Sequence, residues 1–349
     1  MLIAENYSFF GEKMKTELKY GIKYPVAIAA FSFMAVAFSA IAALLGEIFL
    51  AAVVAPLAAL YIFEKKERRI LSYVISALVV IINFVINGPL SVVGVEAVII
   101  SVVIAYSFLR GLGKAECVLW LTVVTSVMLV LALAFAAMNE TGIYTYEAVV
   151  SFYQNGLDAM KNDFVSNMSL LSSSLGDGTE MLIYTAEEAA ALFDMLLNMM
   201  LSIIVIISLV LVGIILKIFS AFMIRVSDNP ERILSWRFVT PNLFAYFYLT
   251  LFVLYFILAS SGGALAISVM NLYNIFMAIY AYFGFGYATA FLSKGRSRGF
   301  ATVMVIIGCV LFSSFAFQIL SVLGVFFTIN YNKLNPQKPH NTSSTNKGD

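Results

Sequence analysis

The stretch YPVAIAAFSFMAVAFSAIAALLGEIFLAAVVAPLAALYIFEKKERR, residues 24–69, decides how the chain folds. From Pro25 to Phe63 it carries no charge except Glu47, and then EKKERR arrives as a block. A helix crosses a hydrocarbon core of about 30 Å with roughly 20 residues, so about 39 residues are too many for one crossing. A glutamate is also costly where it would face lipid. The run therefore reads as two membrane helices, 25–46 and 48–63, turning at Gly46-Glu47, with the basic block marking the side to which the second one returns.

The rest of the chain has the same character. Its 349 residues are 62% hydrophobic and 12% charged, against about 45–50% and about 25% in soluble domains. This is the composition of a polytopic membrane protein. The net charge of +1 exerts no global pull toward nucleic acid. Cys117 and Cys309 both fall in apolar runs and imply neither a disulfide framework nor a thiol metal site.

Further apolar runs occupy 70–87, 90–109, 117–137, 192–223, 243–259, 264–292 and 300–329. All the lysines and arginines except Lys161 lie in the N-terminal arm, EKKERR (64–69), RGLGK (110–114), 217–237, SKGRSR (293–298) and the C-terminal tail. Placing these sites in the cytoplasm separates neighbours by even numbers of crossings. Keeping Lys333 and Lys338 there too requires the last run to fold as a hairpin near Ser313-Ser314. The expected fold is an all-α polytopic bundle of about eight long and two short membrane segments, with both termini cytoplasmic, in a cell membrane. Its parts are a cytoplasmic amphipathic arm (1–24), an N-terminal membrane bundle (25–137), an extracytoplasmic helical insertion (138–191), a C-terminal membrane bundle (192–332) and a disordered polar tail (333–349).

Lys161 lies in the one long hydrophilic insertion, beside Glu140, Glu147, Asp158, Asp163, Asp177, Glu180, Glu187 and Glu188. There Val149, Tyr153, Leu157, Met160, Phe164, Met168 and Leu171 recur at helical spacing, which predicts an amphipathic helix that either lies in the outer headgroups or, alternatively, forms a lid over an outward-facing cavity. SSSLGDG (172–178) breaks it. TAEE (185–188) has the spacing of a capping box and opens a helix of about 38 residues, near 57 Å, that should protrude from the bilayer.

Catalytic patterns are absent. The sole histidine, His340, lies in the polar tail, and no HExxH, GxSxG or GxxxxGK[ST] occurs. Apart from Asp194 near one end, the spans contain no aspartate, so an intramembrane carboxylate pair is lacking. No enzyme activity, cofactor or metal is expected.

Between two apolar runs, DNPERILSWRFVTPNLFAYFYL (228–249) reads as a cytoplasmic connector, with Trp236 at the headgroup boundary and Pro241 at the next helix start. Its part LSWRFVTPNLFAYFYL (234–249), together with MNLYNIFMAIYAYFGFGYATAFL (270–292), resembles the YybS-like family of bacterial membrane proteins, a domain of unknown function. Two departures stand out: Val239 and Thr240 separate Phe238 from Pro241, and Phe285 precedes Gly286 where many members place glutamine. The resemblance implies a distant similarity to the substrate-binding S components of energy-coupling-factor transporters. Such proteins bind a small solute and work with separate coupling and ATPase subunits.

Two sequence features bear on function. Ser32, Ala35, Ser39, Ala42 and Gly46 form a small-residue stripe, the kind of surface that lets a partner helix approach closely in lipid. Asn83, Asn87, Glu96, Asn198, Asn271, Asn274 and Gln318 all fall toward the outer half of the expected topology. Glu96, Asn83, Asn271 and Asn274 are the candidate solute ligands, since a carboxylate at membrane depth needs a wet cavity, a polar partner or a cationic solute. The expected function is a solute-binding transport subunit without its own ATPase. The alternative is a membrane scaffold or regulatory partner of a cell-envelope or signalling complex.

Overall fold

In the computed structural model the described residues are 18, 23–45, 49–64, 70–88, 91–112, 114–142, 145–175, 191, 193, 195–196, 198–228, 240–258, 261, 263–293 and 297–334. Among them the chain is helical throughout: α1 (Tyr24–Leu45), α2 (Leu50–Phe63), α3 (Ile70–Asn87), α4 (Val93–Arg110), α5 (Lys114–Thr141), α6 (Tyr146–Leu175), α7 (Met200–Val226), α8 (Asn242–Leu258), α9 (Ala264–Leu292) and α10 (Arg298–Leu334). The 6 helices α1, α3, α4, α5, α7 and α9 are long and apolar enough to cross a membrane, while α2, α8 and two stretches of α10 are shorter apolar pieces. The long first run breaks after Leu45, where Gly46-Glu47 predicted it; residues 46–48 lie outside the described set. By internal packing the chain divides into two units, Met1–Phe238 and Val239–Asp349.

In the first unit α2 is the centre. It has 14 residues, every one buried except Ala52, and α1, α3, α4 and α7 pack around it. At 1.5 Å per residue it is about 21 Å long, shorter than the hydrocarbon core. Its alanines and valines explain the burial: apolar on all sides, it has no face for water, and small side chains let neighbours come close.

α3 shows which solvent the unit is built for. Its exposed face carries Ile70, Val74, Leu78, Ile81 and Val85, while Ser72, Ser76 and Asn83 share its buried face with Ile75 and Val79. A helix in water has the opposite arrangement. Aliphatic groups outward and hydroxyls inward suit lipid, where interhelical hydrogen bonds and close packing hold helices together. The inward hydroxyls are used: Ser39 Oγ donates to the Val79 carbonyl at 3.2 Å, and Tyr61 Oη pairs with Ser76 Oγ at 2.7 Å.

Phe31 meets both Phe63 and Phe222, and Phe108 meets Phe219. These contacts gather the start of α1 and the ends of α2, α4 and α7 at one end of the unit. Lys23, Arg110 and Arg225 stand at those termini, so the structure groups them as the charge pattern does. At the same end the buried Glu64 accepts hydrogen bonds from the Leu71 N–H (3.2 Å), the Ser72 N–H (3.0 Å) and the Ser72 hydroxyl. It satisfies amides in the first turn of α3, where the helix dipole favours a negative group.

α7 buries Val212, Ile215, Leu216, Phe219 and Met223 in this first core and packs on α2 and α5. The sequence grouping of 192–332 as one C-terminal bundle placed it with the later helices; periodicity shows which face is buried but not which neighbour covers it. α6 follows α5 through Gly142, whose φ of 68° is left-handed. Ala148 is buried on it, Val149, Tyr153, Leu157 and Phe164 are half-buried, and Gln154 and Asp158 are exposed, as the amphipathic pattern predicts. Met160 departs from the stripe and is exposed, and Phe164 packs edge-on against Phe193. The capping box at 185–188 and the start of the protruding helix lie outside the described residues.

In the second unit α9 packs against α8 and α10. The backbones of α9 and α10 meet at glycines: a Cβ on Gly284 would lie 1.7 Å from the Leu320 carbonyl oxygen, and one on Gly324 would lie 1.9 Å from that of Tyr280. α10 is helical over 37 residues but not straight. Val305 and Leu320 share one small core with Ala281, although 15 residues of straight helix would separate them by about 22 Å. Tyr287 on α9 also meets Phe327, with ring centroids 5.5 Å apart. α10 therefore bends between Val305 and Leu320, and both of its halves flank α9. Instead of the expected hairpin of separate helices, one bent helix brings its second half back along α9.

Candidate functional site

Glu96 sits in the first turn of α4 and is 1% exposed, so its carboxyl is enclosed by this chain and does not face lipid. Gly94, the second residue of α4, permits the close approach behind this placement: a Cβ there would come within 2.8 Å of Asn83 Cβ and 3.1 Å of Val80 Cα.

Asn83 is also 1% exposed. Its Oδ1 accepts from Ser91 Oγ at 2.7 Å and from Asn87 Nδ2 at 3.4 Å. It thus clamps the turn joining α3 to α4, where Gly88 has a φ of 83° and Ser91 N–H donates to the Gly88 carbonyl. Of the two candidate ligands in this unit, Asn83 has its carbonyl committed to that turn, and Glu96 is the ionisable one.

Asn271 and Asn274 belong to the second unit, one turn apart on α9, and are 5% and 8% exposed. They differ in how they are satisfied. Asn271 Nδ2 donates to the Ile267 carbonyl of its own helix at 3.0 Å. Asn274 has no such bond to its own helix, and it lies ten residues beyond Ala264, about 15 Å along α9.

Tyr273, between them in sequence, belongs to a tyrosine cluster. The Tyr273 ring is stacked on Tyr255 at 4.6 Å and on Tyr248 at 5.9 Å, and Tyr248 also meets Tyr280 at 5.2 Å. Tyr248 Oη pairs with Ser321 Oγ at 2.7 Å. The hydroxyls of Tyr273 and Tyr280 are buried without a hydrogen bond of ordinary geometry, though each has a hydroxyl nearby, those of Tyr248 and Thr240 respectively. The sequence signal that could have found them is their spacing: seven residues apart, they share one face of α9.

The small-residue stripe, expected at a partner interface, lies against its own chain. Ala35, Ser39 and Ala42 are at most 1% exposed, in the core that α1 builds with α2 and α3. Ser32 Oγ turns back to the Ile28 carbonyl, and Gly46 lies outside the described residues. Among the described residues no group of histidine, cysteine, aspartate and glutamate is arranged to hold a metal ion.

Residues 27–326 match a family described as a predicted membrane protein, DUF2232. No curated protein and no solved structure matches the chain. The match covers most of the sequence, and the chain belongs to that family.

Proposed function

We propose that this member of the predicted membrane protein family is a solute-binding transport subunit that draws its energy from separate ATPase and coupling subunits. The observation carrying this reading is Glu96, a carboxyl 1% exposed at the first turn of a helix long enough to cross a membrane. Ionisable groups buried within membrane-spanning helices are expensive, and by default they are read as functional sites. Buried amides on α9 add neutral hydrogen-bonding groups at membrane depth in the second unit. The similarity to the YybS-like family and to S components, carried by 234–249 and 270–292, supports the same role, as does a sequence without the motifs of an ATPase.

Isolation in mild detergent tests it. Recovery of an ATPase and a membrane coupling subunit with the chain is the expected result. Recovery of a cell-envelope or signalling enzyme in their place would overturn it in favour of a scaffold.

A further inference from the structure

We infer that the outward face of α7 holds an acidic phospholipid, its phosphate clasped between Lys217 and Arg225 and an acyl chain lying along Gly213. Such a site stands whether or not the chain binds a solute. α7 has two faces. Val212, Ile215, Leu216, Phe219 and Met223 are buried in the core of the first unit, while Gly213, Ile214, Lys217, Ile218, Ala221 and Arg225 are exposed. On that outer face Gly213, Lys217, Ala221 and Arg225 follow at intervals of four, so they line up one turn apart.

Lys217 is unusual in its position. In the 6 membrane-length helices the other described bases, Arg110, Lys114 and Arg225, stand at or next to a helix end, whereas Lys217 lies more than two turns inside α7. Among the described residues the side chains of Lys217 and Arg225 make no hydrogen bond or ion pair. The acids that flank this end of the unit, Glu116 in the first turn of α5 and Asp228 just past α7, are paired with neither.

The level of the two bases fits a headgroup. Phe219 meets Phe108 edge-on, with ring centroids 6.1 Å apart. Arg110 ends α4 two residues past Phe108, and Ala221 lies two residues past Phe219, so Ala221 stands level with the end of α4. Lys217 is one turn to the hydrocarbon side of that level and Arg225 one turn beyond it, about 6 Å each way. A lysine in this position carries its ammonium outward to the interface while its methylenes stay in the hydrocarbon. The Arg225 guanidinium has to reach back by about as much to meet it. Ala221, with only a methyl group between the two, leaves room there for a phosphate. One turn deeper than Lys217, an added Cβ on Gly213 would have nothing within 4 Å, which leaves a channel beside Ile214 for an acyl chain.

Charge decides the occupant. Two unpaired bases favour an anion, and a membrane supplies one at this level in the phosphate of an acidic phospholipid. A zwitterionic lipid brings an ammonium of its own that the bases repel. Deeper than the bases the face is wholly apolar, with Val210, Gly213 and Ile214, as an acyl chain requires and a water-soluble phosphate compound does not.

The test is native mass spectrometry of the full-length protein in detergent, titrated with phosphatidylglycerol or phosphatidylcholine. Wild type is compared with Lys217→Gln, Arg225→Gln, Lys217→Arg and, as an exposed base at a helix end of the other unit, Lys333→Gln. Phosphatidylglycerol is expected to bind wild type, Lys217→Arg and Lys333→Gln alike, and each of the other two variants about fivefold more weakly, as loss of one base beside an anionic lipid implies. Phosphatidylcholine should bind all of them weakly and alike. The two weakened variants are read singly and change exposed positions, so one that folds is enough. Equal affinity of wild type, Lys217→Gln and Arg225→Gln for phosphatidylglycerol would overturn the site, as would phosphatidylcholine bound as tightly as phosphatidylglycerol. A protein lost from the preparation in these two variants, with lipid binding unchanged, would overturn it in favour of an acidic partner helix.

Discussion

Gly284 and Leu320 are in backbone contact: a Cβ added to Gly284 would stand 1.7 Å from the Leu320 carbonyl oxygen. The neighbour is main chain and cannot rotate away, so α9 and α10 would have to separate. Gly284→Ala is expected to destabilise the second unit by at least the about 1–3 kcal/mol typical of overpacking. Gly286→Ala, two residues on with nothing within 4 Å of its Cβ, should be close to neutral. Melting temperatures of the two variants in detergent check this; equal losses would contradict the close packing.

The Ser39 hydroxyl bridges α1 to the Val79 carbonyl of α3. Ser39→Ala should cost about 0.6 kcal/mol, the average for such bonds in membrane proteins. Ser39→Leu places a branched side chain where Ser39 is 1% exposed and should lower the yield of folded protein sharply. A folded Ser39→Leu protein that loses only an associated subunit would return the stripe to a partner interface.

Much of this architecture is legible in the sequence, because lipid demands long apolar helices and EKKERR shows where one hairpin closes. What is not legible follows from chemistry that sequence patterns do not encode. The Ala35, Ser39 and Ala42 stripe would look the same whether another subunit or α3 covered it. Glu64 sits in a charged block and reads as a solvated residue, yet it is 6% exposed because it folds back onto the start of α3. Glu96 and Asn274 are legible as polar residues in apolar runs, but no sequence pattern shows that Asn83 is committed to a turn.

Glu64 accepts from two backbone amides and one hydroxyl at the start of α3. Glu64→Ala removes an N-terminal acceptor and should cost about 0.5–2 kcal/mol, while Glu64→Gln keeps an acceptor oxygen and should cost less. Denaturation of the purified variants gives the ranking, and an unchanged Glu64→Ala protein would contradict the capping role.

The charge distribution predicts sidedness. In a background lacking Cys117 and Cys309, single cysteines at Lys66, Gly113, Arg232 and Arg296 should be shielded from an impermeant thiol reagent in intact cells, and one at Asp158 should react. Lys338 is the sharpest position. The return of α10 along α9 predicts that it is shielded with Arg296, and labelling there would contradict that topology.

Binding itself is tested most directly by quantifying what the protein holds. The full-length chain, purified from its membranes, is denatured, and the released small molecules are measured by mass spectrometry against an unrelated membrane protein purified in the same way, with Glu96→Gln alongside. The account predicts one species in near-stoichiometric amount from wild type and less of it from Glu96→Gln at equal recovery of folded protein. Release no greater than from the unrelated protein would contradict it.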